Sequence, residues 1–340
     1  MSDLVPVTLV TGFLGTGKTT LLNHMLRLPE FARTAVLVNE FGEIGLDHEL
    51  VQAVEGDTVL LAAGCLCCTV RGDLSRALDE LAPRALSGEI VRVIIETTGL
   101  ADPAPIIGTL TSIPSVVLRY RLDGVVTLVD AMFGLTQLSE HVEAAHQVAA
   151  ADRLLITKSD LVDPTELIAR LASLNPTARI VLADRGRVAA ADMLDIGLNR
   201  GNPAAWLGMA DEDDDHDHDH DHDHHHHHHH HHDVNRHDAH ITAHSFVFDT
   251  PLHWQGFGTW LEMLASTRGD QLLRVKGILD LHGQDRPVAI HGVRQFFHPP
   301  ELLPSWPDGQ KRQSRVVFIV RDLDRASLLK GIEAFEESAV

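Results

Sequence analysis

Cysteine is scarce in this chain: 340 residues hold three, all within the four positions Cys65-Leu66-Cys67-Cys68. So few thiols exclude a secreted disulfide scaffold, and close neighbours on one short segment bridge only with strain. Long apolar runs are missing as well, so no membrane-spanning helix is expected. The first residues, Met1-Ser-Asp-Leu-Val-Pro, pass straight into an apolar strand pattern without the basic region and cleavage site of a leader, and a cytoplasmic protein is expected. Positive charge is in deficit. The formal net charge of −20 excludes a surface built to neutralise nucleic-acid phosphates.

The negative charge is unevenly placed. Residues 211–233 hold ten Asp or Glu and no Lys or Arg, supplying −10 of the −20. Alternating Asp and His lead there into nine consecutive histidines, His224 to His232. Such a tract cannot build a core, so residues 201–240 are expected to be a disordered acidic and His-rich linker. Imidazoles beside carboxylates suit labile binding of divalent zinc, nickel or cobalt, with a solvated charged spacer as the alternative.

With 44% hydrophobic residues, the remainder has enough apolar material for two domains. In residues 1–200, apolar runs at Val5–Val10, Ala35–Asn39, Val91–Ile95, Gly124–Val129, Arg153–Ile156 and Arg179–Ala183 alternate with amphipathic stretches at Thr19–Arg27, Asp73–Ala85, Leu135–Ala149 and Pro164–Leu174. This alternation predicts an α/β fold, a three-layer domain with a mainly parallel sheet that binds ligands at the carboxyl ends of its strands. Residues 241–338 predict a smaller C-terminal α+β domain. Its strands are Ile241–Phe248, Leu272–Leu281, Val288–Phe297 and Arg315–Val320, and its helices Trp254–Ser266 and Arg325–Glu337.

Gly12-Phe13-Leu14-Gly15-Thr16-Gly17-Lys18-Thr19 matches Gly-x-x-x-x-Gly-Lys-Thr between a strand and a helix, and Thr20 follows it. Backbone amides of such a P-loop cradle phosphates, Lys18 reaches the β and γ groups, and the Thr19 hydroxyl ligates Mg²⁺. Glu96 ends a second apolar strand where a carboxylate would hold Mg²⁺, and Gly99 leaves room for a backbone amide beside the γ-phosphate. Thr157-Lys158-Ser159-Asp160 resembles the guanine-recognition motif, in which the Asp accepts from guanine and the Lys stem covers the base. GTP is therefore expected over ATP. The three thiolates of Cys65, Cys67 and Cys68 form an incomplete zinc-type site with one position left for water or an incoming ligand; buried apolar cysteines are the alternative.

Together these segments resemble the CobW-type metallochaperone GTPases of the SIMIBI class of P-loop proteins. The resemblance is carried by Thr11 to Leu21, Val38 to Asp47, Gly64 to Leu74, Glu96 to Pro103 and Thr157 to Leu161, and more weakly by Arg274 to Gly277 and Ala289 to Val293. It implies a GTP-dependent carrier holding a divalent metal, zinc first and cobalt second, on Cys65, Cys67 and Cys68, and delivering it to a client metalloprotein. It further implies a switch at Glu96 to Gly99, with Thr69 and Arg71 as further nucleotide contacts. Glu40, Glu43 and Asp47 fall on the segment expected to be switch I, as Mg²⁺-positioning or auxiliary metal groups or as a solvated acidic loop. Histidines outside the linker, such as His141, His146 and His291, are assigned no ligand role. No activating arginine or glutamine is identifiable, so slow intrinsic turnover is expected. Rival readings are a cobalt-delivering GTPase for cobalamin synthesis and a His-rich storage or sensing protein. No oligomeric state is read from the sequence.

Overall fold

The computed structural model describes residues 4–39, 59–63, 70–198, 206–207, 241–306 and 311–339. Its first part alternates strand and helix: β1 (Val5–Gly12), α1 (Lys18–Met25), β2 (Thr34–Asn39), β3 (Val59–Ala63), α2 (Val70–Leu86), β4 (Arg92–Glu96), α3 (Ala104–Ser112), α4 (Pro114–Val117), β5 (Tyr120–Asp130), α5 (Gly134–Glu140), α6 (Val142–Ala150), β6 (Arg153–Thr157), α7 (Thr165–Leu174) and β7 (Arg179–Leu182). These strands form one sheet in the order β3-β2-β4-β1-β5-β6-β7, each neighbouring pair parallel.

A parallel sheet must be covered on both faces, and alternate residues of each strand go to opposite cores. Leu9, Val93 and Ile95 pack with Leu74 and Leu78 of α2 and Ile107 of α3. Val10, Ile94 and Leu155 pack with Leu21, Leu22 and Met25 of α1 on the other side. The single helix expected over Leu135–Ala149 is broken at His141, which is extended (φ −127°, ψ 113°) and stacks on Phe13 at 4.6 Å. After the break, the small residues Ala144, Ala145 and Ala149 let α6 lie close against Leu154 and Ile156.

The second part contains β8 (Ile241–Phe248), α8 (Trp254–Arg268), β9 (Leu272–Leu279), β10 (Val288–Val293), β11 (Phe296–Phe297), β12 (Glu301–Leu302), β13 (Ser314–Arg321) and α9 (Arg325–Glu337). They form an antiparallel sheet in the order β11-β10-β9-β13-β8, with β12 on β10. Phe257, Trp260, Leu328 and Ile332 of α8 and α9 cover one face through Val275, Val316 and Phe318. The opposite face meets the first domain, where Ile241, Leu273 and Ile319 join Ala145, Val148 and Leu171. Covered on both sides, all eight residues of β9 are buried. Asp324 caps α9 by accepting from the Ser327 amide at 2.8 Å.

The expected strand Val288–Phe297 is instead a hairpin. Val293 pairs with Phe296, and Arg294, at φ +53°, sits in the turn between them. Phe296 is thereby driven into the first domain, where a Cβ on Gly108 of α3 would stand 2.6 Å from its ring.

Charge as well as apolar surface joins the two sheets. Asp152, just before β6, accepts from the Arg274 guanidinium, from Lys276 Nζ at 2.9 Å and from the Val125 amide at 2.9 Å. Arg274 also donates to the Ala150 carbonyl, and Lys276 Nζ lies 4.9 Å from the Trp206 ring centre. Burial alone would raise the Asp152 pKa, but the two cations hold it well below the usual carboxylate range. Burial lowers Lys276 to about 8, against the opposing pull of Asp152. A cavity of about 270 Å³ beside this cluster, lined by Tyr120, Asp123, Arg274, His291 and His298, opens at the amino ends of β5 and β6, away from the P-loop.

Two outcomes are expected at this seam. Asp152→Ala leaves two buried cations without their anion and should lower unfolding stability by about 3–5 kcal/mol in denaturant titrations. Because Lys276 binds its proton less readily in the folded chain than in the unfolded one, its contribution to stability grows as pH rises from 8 towards 10.5. Melting curves across that window should show this rise in the native protein relative to Lys276→Met, which removes it.

Candidate functional site

β1, β4, β5 and β6 run parallel and deliver Gly12, Glu96, Asp130 and Thr157 to one carboxyl edge. At Gly12 the chain leaves β1 at φ +142°, and a Cβ would fall 2.5 Å from the Leu128 carbonyl, so no side chain fits. Gly15 (φ +76°) and Gly17 (φ +89°) complete the turn, and Gly17 is the left-handed N-cap of α1. Thr16 Oγ1 donates to the Phe13 carbonyl at 2.9 Å, closing the loop. Leu14 and Thr20 are exposed, whereas Phe13, Thr16 and Lys18 are buried.

Lys18 Nζ donates to the carbonyls of Gly12 (2.7 Å) and Phe13 (3.1 Å). Burial pulls its pKa down, and the nearby buried carboxylate of Glu96 opposes that shift. An acid buried beside the P-loop lysine, next in space to the first turn of α1 that carries Thr19, is the donor set expected for Mg²⁺. Beyond Glu96, Thr97 ties the second motif to β1: its amide donates to Val10 at 3.0 Å and its hydroxyl to Thr11 Oγ1 at 2.7 Å. Gly99 lies directly on the loop, where a Cβ would stand 2.6 Å from the Leu14 amide nitrogen.

The third motif is locked to the first. Thr157 Oγ1 donates to the Thr16 carbonyl at 2.9 Å. Lys158, at φ +59°, donates from Nζ to the Gly15 carbonyl at 3.0 Å and to Asp130 Oδ2 at 2.5 Å. Asp160 stands exposed beyond them. Lys18 and Lys158 thus engage the loop's carbonyls, and successive amides of such a turn are suited to an anion.

Sequence reasoning missed several residues of this arrangement. Asp130 holds Lys158, and its Oδ1 accepts from the Met132 amide at 2.8 Å. Gln147 Nε2 donates to the carbonyls of Gly99 (3.1 Å) and Ala101 (3.0 Å). Asp102 meets Arg294 from the second domain at 2.5 Å. Asp130 ends a strand as Glu96 does, which was the available signal; the other contacts join residues far apart in sequence.

Cys65, Cys67, Cys68, Thr69, Glu40, Glu43, Asp47, the Asp/His tract and the side chain of Arg71 lie outside the described residues. Asp73, in the first turn of α2, pairs with Arg76 at 3.3 Å. The ends flanking the cysteine run are described. Val38 of β2 pairs with Ala62 of β3 on one side and with Glu96 of β4 on the other. The strand leading into the cysteines therefore ends level with Glu96, two strands or about 10 Å away. Among the described residues, no group of three or more His, Cys, Asp and Glu is placed to hold a metal ion, and no helix is long and apolar enough to cross a membrane.

A P-loop, a strand-end acid and a Thr-Lys-x-Asp turn on one edge of a parallel sheet define a P-loop nucleotide-binding domain. The comparisons are specific. The CobW/HypB/UreG nucleotide-binding domain model matches residues 6–181, and the cobalamin synthesis protein CobW C-terminal domain model matches residues 241–336. The chain belongs to the CobW family. It is 33% identical to the zinc chaperone YjiA of Escherichia coli over 93% of each chain, and 28% identical to the zinc chaperone CobW of a Sinorhizobium species over 97% of each. The crystal structure of Zn(II)-bound YjiA GTPase from E. coli superposes with a TM-score of 0.71 at 28% identity, covering 99% of each chain.

The contact at Gly99 can be tested directly. Gly99→Ala places a methyl group against Leu14 backbone, which cannot rotate away. Affinity for a non-hydrolysable GTP analogue is expected to fall by roughly tenfold, about 1.4 kcal/mol, with a smaller change for GDP. Titration with fluorescent nucleotides measures both.

Proposed function

We propose that this protein is a GTP-hydrolysing metallochaperone that carries zinc on Cys65, Cys67 and Cys68 and releases it to a client metalloprotein as the nucleotide cycle turns. One observation carries the reading: β3, which leads into the cysteine run, ends level with Glu96 across the sheet. A rearrangement beside the γ-phosphate is thus two strands from the start of the thiolate segment. The relatives named zinc chaperones support zinc as the cargo, and three thiolates suit that ion while leaving a position for a client's ligand.

In this mechanism the amides of Gly15 to Thr19 bind the phosphates, and Lys18 exchanges its loop carbonyls for phosphate oxygens. Thr19 and Glu96 would hold Mg²⁺, which when bound neutralises charge developing on the phosphates. Asp160 accepts from the guanine edge, and Lys158, oriented by Asp130, covers the base. The Gly99 segment senses the third phosphate because it already touches the loop. Thr69 and Arg71 are proposed as further nucleotide contacts. The His-rich linker is proposed as a metal reserve that feeds the cysteines.

Equilibrium competition for zinc, cobalt and nickel, with Mg²⁺ and GTP or with GDP, tests the reading. Tighter zinc binding with GTP than with GDP is expected, and it should vanish in Cys65→Ser/Cys67→Ser/Cys68→Ser while GTP binding persists. Unchanged GTP-dependent zinc affinity in the triple variant would sink the proposal; a GTP-dependent gain confined to cobalt would reassign the cargo.

A further inference from the structure

Arg294 occupies a backbone position that the sequence makes costly. It sits at φ +53° in a two-residue hairpin turn, where Asn, Asp or Gly is normally found and a larger side chain is strained. The side chain presented by that turn leaves its own domain. Its Nη2 lies 2.5 Å from Asp102 Oδ2 and 3.0 Å from His146 Nδ1. A third contact, Nη1 to Asp270 at 3.2 Å, involves a carboxylate that is 86% exposed and counts for little.

Asp102 is three residues beyond Gly99, and both its oxygens are engaged. Oδ1 accepts from the Ala104 amide at 2.9 Å at the start of α3, and Oδ2 meets Arg294. Between Gly99 and Asp102 the carbonyls of Gly99 and Ala101 are held by Gln147. Gln147 follows His146 on α6, so two adjacent residues of one helix grip the arginine and the segment that it contacts. His146 receives the guanidinium hydrogen bond on a neutral nitrogen, in keeping with the burial and then the Arg294 charge that depress its pKa. Gly99 ends this chain of contacts against Leu14 of the P-loop.

We propose that Arg294, supplied by the C-terminal domain, is a positioning residue for GTP hydrolysis: through Asp102 it fixes the Gly99–Asp102 segment against the phosphate loop. This rests on the reading of Glu96 to Gly99 as the nucleotide switch. The segment cannot leave the loop without breaking the Asp102 contact or carrying the β10–β11 hairpin with it, so the second domain both sets and registers the state of the switch.

The test uses the full chain, with single-turnover GTP hydrolysis at saturating Mg²⁺ and GTP, GDP affinity and melting temperature measured for each variant. Arg294→Ala should slow hydrolysis by roughly tenfold or more, because a small misplacement of a reacting group is that costly, with GDP affinity within about twofold. Arg294→Lys should recover part of the rate. Asp102→Asn, which keeps an acceptor for the Ala104 amide, should match Arg294→Ala, and the double variant should be no slower than either single one. Lower melting temperatures with unchanged hydrolysis in Arg294→Ala and Asp102→Asn would reduce the contact to domain docking and overturn the proposal. Gly99→Ala separates the two readings. If it slows hydrolysis while the Arg294 and Asp102 variants do not, the positioning role fails and the switch stands; if it too leaves hydrolysis unchanged, the switch assignment falls and the proposal with it.

Discussion

The relation between the two domains hangs on one buried carboxylate. Asp152 faces Arg274 and Lys276, two residues apart on β9, and the three side chains are almost wholly withdrawn from the surface. Apolar burial is non-directional, so by itself it does not dictate which residue must meet which across the seam. A buried ion cluster is not indifferent, since any displacement strands a charge. The cluster therefore sets the register of β9 on β6, and β6 is a rod of five buried residues whose far end is Thr157. From there the Thr157 hydroxyl reaches Thr16 in the P-loop.

The same economy governs the carboxyl edge. Lys18, the first residue of α1, and Lys158, just after β6, both bond P-loop carbonyls, while Glu96 and Asp130 supply one acid near each lysine. The loop is thus shaped by cations on its carbonyl side. Its glycines meet the geometric demand, most severely at Gly12, where the Leu128 backbone fills the space of a side chain. The two charged clusters are kept apart: the carboxyl edge carries the exposed Asp160 and the two loop-bonded lysines, whereas the Asp152 cluster and the cavity beside it lie at the opposite ends of the strands.

Much of this was legible in the sequence because its signals are local. Gly12 to Thr19 specify their own loop, and the apolar runs of β1, β4 and β6 are too continuous to be anything but strands of a two-sided sheet. Less was legible where local pattern and tertiary demand diverge. Val59–Ala63 is too short and too ordinary an apolar run to distinguish strand from helix. The apolar periodicity of Leu135–Ala149 runs through His141 without a helix-breaking residue, yet packing on Phe13 breaks the helix there. Val288–Phe297 reads as one strand because its turn is Arg-Gln rather than Asn-Gly. At the site, Lys18, Glu96 and Thr157 were found from their motifs. Gln147, Asp102 and Arg294 were not, because their meaning lies in contacts spanning 46 to 192 residues of chain.

β3 gives the sheet one more property. Among the described residues it pairs only with β2, through five residues from Val59 to Ala63. β4, by contrast, is flanked by β2 and β1 and is held from both sides. Force applied along the chain at the cysteine run would thus meet a short, one-sided ladder, while the same force at Glu96 would meet the middle of the sheet. The strand that leads towards the cysteine run is thus an end row of the described sheet, and the strand that ends in Glu96 an inner one.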